Sequence, residues 1–82
     1  MNYLHNNIRY IRNYYGLTQK EMSAIMGISQ STLRRIEQGN PSVRINGLIL
    51  CKLCDHFHIS TDVIILFDLE AMSADPVDFP PL

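Results

Sequence analysis

The sequence predicts an all-α fold in which five helices form one small domain, followed by a short irregular tail. Helix start and stop signals recur along the 82 residues, and no segment alternates apolar and polar residues as a strand with one buried face does. Apolar residues make up 46% of the chain, which is enough for one core. We therefore expect a domain over residues 1–70 and a flexible, acidic, proline-containing tail over residues 71–82.

Each of the first two predicted helices has an apolar stripe and ends at a glycine. The stripe of the first helix ends before Gly16 and consists of Leu4, Ile8, Ile11 and Tyr15. The second helix begins after Thr18, which can form a capping box with Glu21, and it ends at Gly27. The inner face of the second helix holds Met22, Ile25 and Met26.

Polar residues that suit a helix N-cap mark the next two helices. Ser29 can cap a third helix that runs to Gln38. Asn46 can cap a fourth helix that runs to about His56. The second and third helices are then separated by a turn of three residues, which is the spacing of a helix-turn-helix.

The segment TDVIILFDLEAM follows Ser60, which can cap a fifth helix. Its five consecutive apolar residues also fit a strand, but a lone strand would have no partner, so we favour a helix. A small domain covers only one face of so apolar a helix, which predicts a homodimer. The interface would contain Ile64, Ile65, Phe67 and Leu69. The alternative is a monomer whose tail DPVDFPPL folds over the same surface.

Basic and acidic residues are divided between two parts of the chain. Residues 1–54 contain all seven Lys and Arg residues and two acidic ones, a net charge of +5, whereas residues 55–82 contain six acidic residues and no Lys or Arg. This asymmetry indicates an anionic partner for the first part of the chain. The alternative is that the basic residues form only a solvated surface.

Nothing in the sequence suggests a membrane or a secretion signal. No apolar segment approaches the roughly 20 residues of a membrane-spanning helix. The N-terminus lacks the basic region and apolar core of a signal peptide. We expect a soluble, cytoplasmic protein with no membrane partner.

The segment CKLCDHFH raises the alternative of a zinc or redox site. In a continuous helix Cys51, Cys54 and His58 share a face while His56 points elsewhere, so four ligands would surround one metal ion only if the helix broke there. We therefore expect buried, reduced thiols, no metal site and no cofactor. The histidines have no acid and nucleophile at a catalytic spacing, so we expect no enzymatic activity.

The third helix carries a continuous polar face. On a wheel of about 3.6 residues per turn, one arc is filled by amide, hydroxyl and guanidinium side chains. These are Gln30, Ser31, Arg34, Arg35 and Gln38. Glutamine pairs well with adenine, arginine with guanine, and a serine hydroxyl with either a donor or an acceptor, so this arc has the chemistry of a base-reading surface. The alternative is an ordinary solvated helix face.

The sequence LTQKEMSAIMGISQSTLRRIEQG resembles the lambda-repressor-like family of Cro, CI and XRE-type regulators, and the likeness extends from about Asn7 to Phe67. The resemblance implies a five-helix domain whose third helix enters the DNA major groove while the second crosses the backbone. By position it implies that Gln30, Ser31 and Arg35 read bases, with Arg34 contacting a base or a phosphate.

The resemblance also assigns phosphate contacts and one ion pair. Gln19 matches a glutamine that contacts phosphate and braces the first residue of the third helix, and the remaining expected phosphate contacts are Gln38, Asn40 and Arg44. Arg12 and Glu37 match an ion pair that ties the first helix to the end of the third. Because a buried Glu37 would need a cation, the pair is favoured over Arg12 as a phosphate contact.

These expectations define a sequence-specific regulator that binds double-stranded DNA as a dimer, most simply a repressor. The alternative is a protein-interaction module, such as an antitoxin or an adaptor, whose acidic and apolar C-terminus captures a second protein. Tyrosines clustered in the first helix could stack on single-stranded bases, although core and rim packing explains them as well.

Overall fold

The structure is a computed structural model that describes residues 3–40 and 42–72. Those residues form six α-helices and no strand, which confirms the all-α fold. The helices are α1 (Leu4–Tyr14), α2 (Gln19–Met26), α3 (Gln30–Glu37), α4 (Gly47–Phe57), α5 (Thr61–Leu66) and α6 (Leu69–Met72). None of the described helices is long and apolar enough to cross a membrane. Most of the predicted tail, residues 73–82, lies outside the described residues.

The predicted starts of α2 to α5 are confirmed by their caps. In the capping box of α2, Thr18 Oγ1 accepts a hydrogen bond from the backbone of Glu21 at 3.0 Å, and the Glu21 carboxylate accepts one from the Thr18 backbone at 2.9 Å. The other three helices have the predicted N-caps Ser29, Asn46 and Ser60. A cap joins residues that are three apart in sequence, which is why sequence alone locates it.

The first helix ends earlier than its apolar stripe suggests. Leu4, Ile8 and Ile11 are buried, but Tyr15 is 47% exposed. The chain leaves the helix at Tyr15 and turns at Gly16, whose φ of +66° suits glycine, so the helical wheel no longer applies there. The Tyr15 ring instead stacks on Phe57, with the ring centroids 5.0 Å apart.

The predicted fifth helix is two helices rather than one. Phe67 has extended backbone angles, φ −108° and ψ +139°, and separates α5 from α6. The buried Asn7 accounts for this break: its Nδ2 donates to the carbonyls of Ile64 and Phe67, each at 2.7 Å, and its Oδ1 accepts from the backbone of Leu69 at 3.2 Å. The domain end expected after residue 70 falls inside α6.

One core joins all six helices. It contains Leu4, Ile8, Ile11, Met22, Met26, Leu33, Ile36, Leu53, Cys54, Ile59, Ile64 and Leu69. From α3 it takes Leu33 and Ile36, which are fully or almost fully buried. Because these two residues hold one face of α3 against the domain, the opposite face is presented to solvent.

Candidate nucleic-acid interface

The turn between α2 and α3 requires a glycine. Gly27 has φ +72°, and a Cβ atom at this position would lie 2.8 Å from Nζ of Lys52. The left-handed backbone is what favours glycine here, because the Lys52 ammonium is the end of a flexible side chain that can move aside. After Ile28, the Ser29 side chain caps α3 by accepting a hydrogen bond from the backbone of Thr32 at 3.1 Å.

The polar arc of α3 is exposed as a whole. Each of the five side chains that the sequence placed on this arc is solvent-exposed: Gln30, Ser31, Arg34, Arg35 and Gln38. The acidic residue at its edge, Glu37, has a side chain only 6% exposed. The exposed surface of α3 therefore offers hydrogen-bond donors and positive charge and almost no carboxylate.

Glu37 is paired with Arg12 of α1. Arg12 Nε donates to Oε2 of Glu37 at 2.7 Å, and Nη2 donates to Oε1 at 3.0 Å, which makes the contact bidentate. Arg12 Nη1 also donates to the carbonyl of Leu17 at 3.0 Å. One guanidinium thus joins α1, the segment before α2 and the last residue of α3, and it fixes α3 relative to the rest of the domain.

Gln19, the first residue of α2, contacts this ion pair. Its Nε2 donates to Oε1 of Glu37 at 3.4 Å. The resemblance implies instead that this amide braces Gln30, but the hydrogen bond described for the side chain goes to Glu37. Because a carboxylate only accepts hydrogen bonds, Glu37 determines that the NH2 group of Gln19, and not its oxygen, faces the ion pair.

The segment between α3 and α4 contains two expected phosphate ligands. Asn40 is half-buried, and its Oδ1 accepts hydrogen bonds from the backbone and hydroxyl of Ser42 at 2.9 and 2.7 Å. These bonds order the turn and do not use the Nδ2 group of Asn40. Arg44 is exposed, and the neighbouring Val43 carbonyl lies 3.4 Å from Nε2 of His5 in α1.

The N-terminal turn of α3 has a hydroxyl cluster that the sequence analysis missed. Ser29 Oγ lies 2.8 Å from Oγ1 of Thr32 and 3.2 Å from Oγ of Ser31. We define these three residues as the hydroxyl cluster. The signal is present in the sequence as hydroxyl residues at 29, 31 and 32, but only the folded turn brings their oxygens together.

The two cysteines differ in burial, which corrects the expectation that both are buried. Cys54 is buried and Cys51 is exposed, and neither forms a disulfide. Burial raises the pKa of the Cys54 thiol above its ordinary value, although a hydrogen bond with Thr61 acts in the opposite direction. His58 has φ +55° and ends α4. Within residues 3–40 and 42–72 no group of three or more His, Cys, Asp or Glu side chains is arranged to hold a metal ion.

The apolar surface near the C-terminus differs from the one expected. Ile64 is 0% exposed and Leu69 is 1% exposed, so both belong to the core and have no surface to offer a partner. Ile65 is half-buried and Phe67 is 46% exposed. Ile64 and Leu66 lie on opposite sides of α5, and after the break at Phe67 the chain buries Leu69 at the start of α6. Leu66 and Met72, which belong to the same apolar segment, are exposed as well.

A helix-turn-helix whose second helix exposes a polar and cationic face defines a DNA-binding class of protein. The family profile described as Helix-turn-helix matches residues 8–64 of the chain. The chain therefore belongs to the XRE-type, lambda-repressor-like helix-turn-helix family, a family of DNA-binding transcriptional regulators that is typically non-enzymatic. No significant match to the chain is found among curated proteins or among solved structures.

Proposed function

We propose that this protein is a cytoplasmic, dimeric repressor that recognises a specific double-stranded DNA operator by inserting α3 into the major groove. The observation that carries the proposal is the exposed arc of α3, on which Gln30, Ser31, Arg34 and Arg35 are all accessible. Glutamine can pair with N6 and N7 of adenine, and arginine with O6 and N7 of guanine. The proposed activity requires no cofactor.

The ion pair supports this placement of α3 electrostatically. An unpaired carboxylate at the end of a recognition helix would repel the DNA backbone, but the charge of Glu37 is matched by Arg12 at 2.7 Å. Phosphate contacts would then come from Gln19 on α2, from Gln38 at the end of the polar arc, and from Asn40 and Arg44 in the segment after α3. Such contacts set the register of the protein on DNA and make its affinity depend on salt.

Dimerisation is supported by the exposed apolar patch, which we define as Ile65, Leu66, Phe67 and Met72. Leu66 is 59% exposed, Phe67 46% and Met72 42%. A second copy that covers this patch by two-fold symmetry would place two recognition helices on one face of the DNA. The operator would then be a near-palindrome whose half-site centres lie about 10 base pairs apart.

The alternative is that the apolar patch binds a different protein, as in an antitoxin or an adaptor. The same four side chains would support this assignment, and it is compatible with DNA binding. An adaptor that has lost DNA recognition differs in one measurable respect. Its duplex binding would be weak at every salt concentration, whereas a DNA reader loses affinity steeply as salt rises.

The test is to select bound sequences from a pool of random duplexes and to measure affinity for the selected duplex at several salt concentrations. We expect a defined near-palindromic site and a steep loss of affinity with salt. Arg34→Ala combined with Arg35→Ala serves as the matched control, because both side chains are exposed, so the change should keep the fold while it removes two guanidinium groups from the polar arc. If the selection enriches no site for the wild-type protein, and none for the double variant either, the proposed function is contradicted.

A further inference from the structure

The three hydroxyls of the hydroxyl cluster form a connected set of hydrogen bonds. Ser29 Oγ donates to Oγ1 of Thr32 at 2.8 Å, and it accepts from the backbone N–H of Thr32 at 3.1 Å. Ser29 Oγ also lies 3.2 Å from Oγ of Ser31, a contact in which either oxygen satisfies the geometry of a donor. Each hydroxyl has one proton to donate and two sites at which it accepts.

The direction of the last contact follows from a count of protons. Because Ser29 donates its single proton to Thr32, it has no proton to donate to Ser31. In this arrangement Ser31 is the donor in the contact between the two serines, a contact whose heavy-atom geometry alone fits either direction. With the Thr32 N–H and the Ser31 O–H, both acceptor sites of Ser29 are occupied. Ser31, which is exposed on the polar arc, keeps only acceptor sites for a ligand.

We propose that Thr32, acting through Ser29, makes Ser31 an acceptor-only reader that recognises an exocyclic amine of a base in the major groove. In the major groove the donors are N6 of adenine and N4 of cytosine, so Ser31 would contact one of these two groups. This inference rests on the proposed function. Ser31 is the residue that touches the base, and Thr32 is a positioning residue that contributes no contact of its own.

The consequence is a preference that a lone serine does not have. A serine whose proton is uncommitted can donate to N7 or O6 of guanine or to O4 of thymine as readily as it accepts from an amine. With its proton held by Ser29, Ser31 would face those base acceptors with its own lone pairs, which repel them. Since every base pair carries one exocyclic amine in the major groove, a selected sequence alone does not reveal which group Ser31 contacts.

The experiment therefore uses base analogues in the operator selected by the wild-type protein. The affinities of Ser31→Ala for single-base variants of the operator first identify the base pair at which this variant loses the wild-type preference. At that pair, adenine is replaced by purine, or cytosine by 2-pyrimidinone, so that only the amine is removed. We expect the wild-type affinity to fall by roughly threefold to tenfold, as for the loss of one neutral hydrogen bond, and that of Ser31→Ala not to change. Replacing the purine of the pair by its 7-deaza analogue, which removes the N7 acceptor, should leave this contact intact.

Two variants of Thr32 test its role through Ser29. Thr32→Val keeps the shape but removes the hydroxyl, which frees the proton of Ser29 for Ser31 and allows Ser31 to donate to a base. We expect the sensitivity to amine removal to shrink and the discrimination against the reversed base pair to relax. Thr32→Ser retains a hydroxyl and should behave as the wild type. Circular dichroism verifies that both variants are folded.

The outcomes distinguish failure of this inference from failure of the proposed function. A wild-type protein that binds its operator but tolerates amine removal at the Ser31 base pair overturns this inference, and that measurement requires no Thr32 variant. A folded Thr32→Val protein with wild-type analogue sensitivity overturns the role of Thr32. If the wild-type protein binds no duplex at all, the proposed function fails and this inference fails with it.

Discussion

Nδ2 of Asn7 donates a hydrogen bond to the carbonyl of Ile64 at 2.7 Å, across 57 residues of sequence. The same amide also donates to the Phe67 carbonyl and accepts from the Leu69 backbone, so one buried side chain holds the corner between α5 and α6. The N-terminus of α1 is attached to this corner a second time, because the backbone N–H of Tyr3 donates to the carbonyl of Ile65 at 2.8 Å.

Replacement of Asn7 should be among the most destabilising single changes in the domain. Asn7→Ala leaves two carbonyls and one N–H without their partner inside the protein, and we expect a loss of roughly 2–4 kcal/mol in the free energy of unfolding. Asn7→Asp should cost more, because its carboxylate would face two carbonyl oxygens. Urea unfolding measures both, with the exposed Asn13→Ala as the control. A change of less than about 0.5 kcal/mol for Asn7→Ala would contradict this role.

Arg12 and Glu37 should behave as a coupled pair. Their side chains are 17% and 6% exposed, so either Arg12→Met or Glu37→Leu alone leaves a nearly buried charge, and each should cost about 3–5 kcal/mol. The double replacement should cost much less than the sum of the two. The denaturant midpoints of the two single variants and of the double variant provide the measurement. Arg9→Met, which replaces an exposed arginine on the same helix, is the control. Additive effects would mean that the pair contributes no coupling.

Base readers and phosphate contacts should respond differently to truncation. Gln30→Ala and Arg35→Ala should each cost roughly 1–3 kcal/mol of binding on the selected operator and flatten the preference at particular base pairs. Gln19→Ala should weaken binding to all duplexes alike, because a phosphate contact carries no base information. Affinities for the operator and its single-base variants provide the measurement. Uniform losses for Gln30→Ala and Arg35→Ala would show that these residues do not read bases.

The apolar patch should control oligomeric state without controlling folding. Phe67→Asp should give a folded monomer whose affinity for the full operator falls towards that of one half-site, because Phe67 is 46% exposed. Ile64→Asp should unfold the domain, since Ile64 is fully buried. Tyr14→Asp, at a tyrosine that is also 46% exposed, is the matched control and should remain dimeric. Sedimentation of the wild type as a monomer at tens of micromolar would contradict the dimer.

The helix-turn-helix and its polar arc were predictable because the interactions that define them are local. The capping box of Thr18 with Glu21 and the cap by Ser29 each join residues three apart in sequence. The polar arc follows from the helical period alone once the start of α3 is known. For the same reason the two buried residues of α3, Leu33 and Ile36, occupy the opposite face.

The remaining features depend on contacts that a single helix does not contain. The five apolar residues after Asp62 have good helix signals, and the break at Phe67 is held by the distant Asn7, which donates to the Phe67 carbonyl. After the break Leu69 enters the core, while Phe67 itself is exposed. The sequence does not determine the direction of the Ser31 hydroxyl, and the proposed direction follows from the hydrogen bond that Ser29 donates to Thr32 in the folded turn. Sequence by itself therefore determined where the helices of the helix-turn-helix begin and which side chains α3 exposes, because caps and helical periodicity act over a few residues. Tertiary structure decided which apolar residues remain at the surface, because that depends on packing between distant parts of the chain. It also bears on the direction in which the Ser31 hydroxyl donates, because that depends on the hydrogen bonds that neighbouring groups already make.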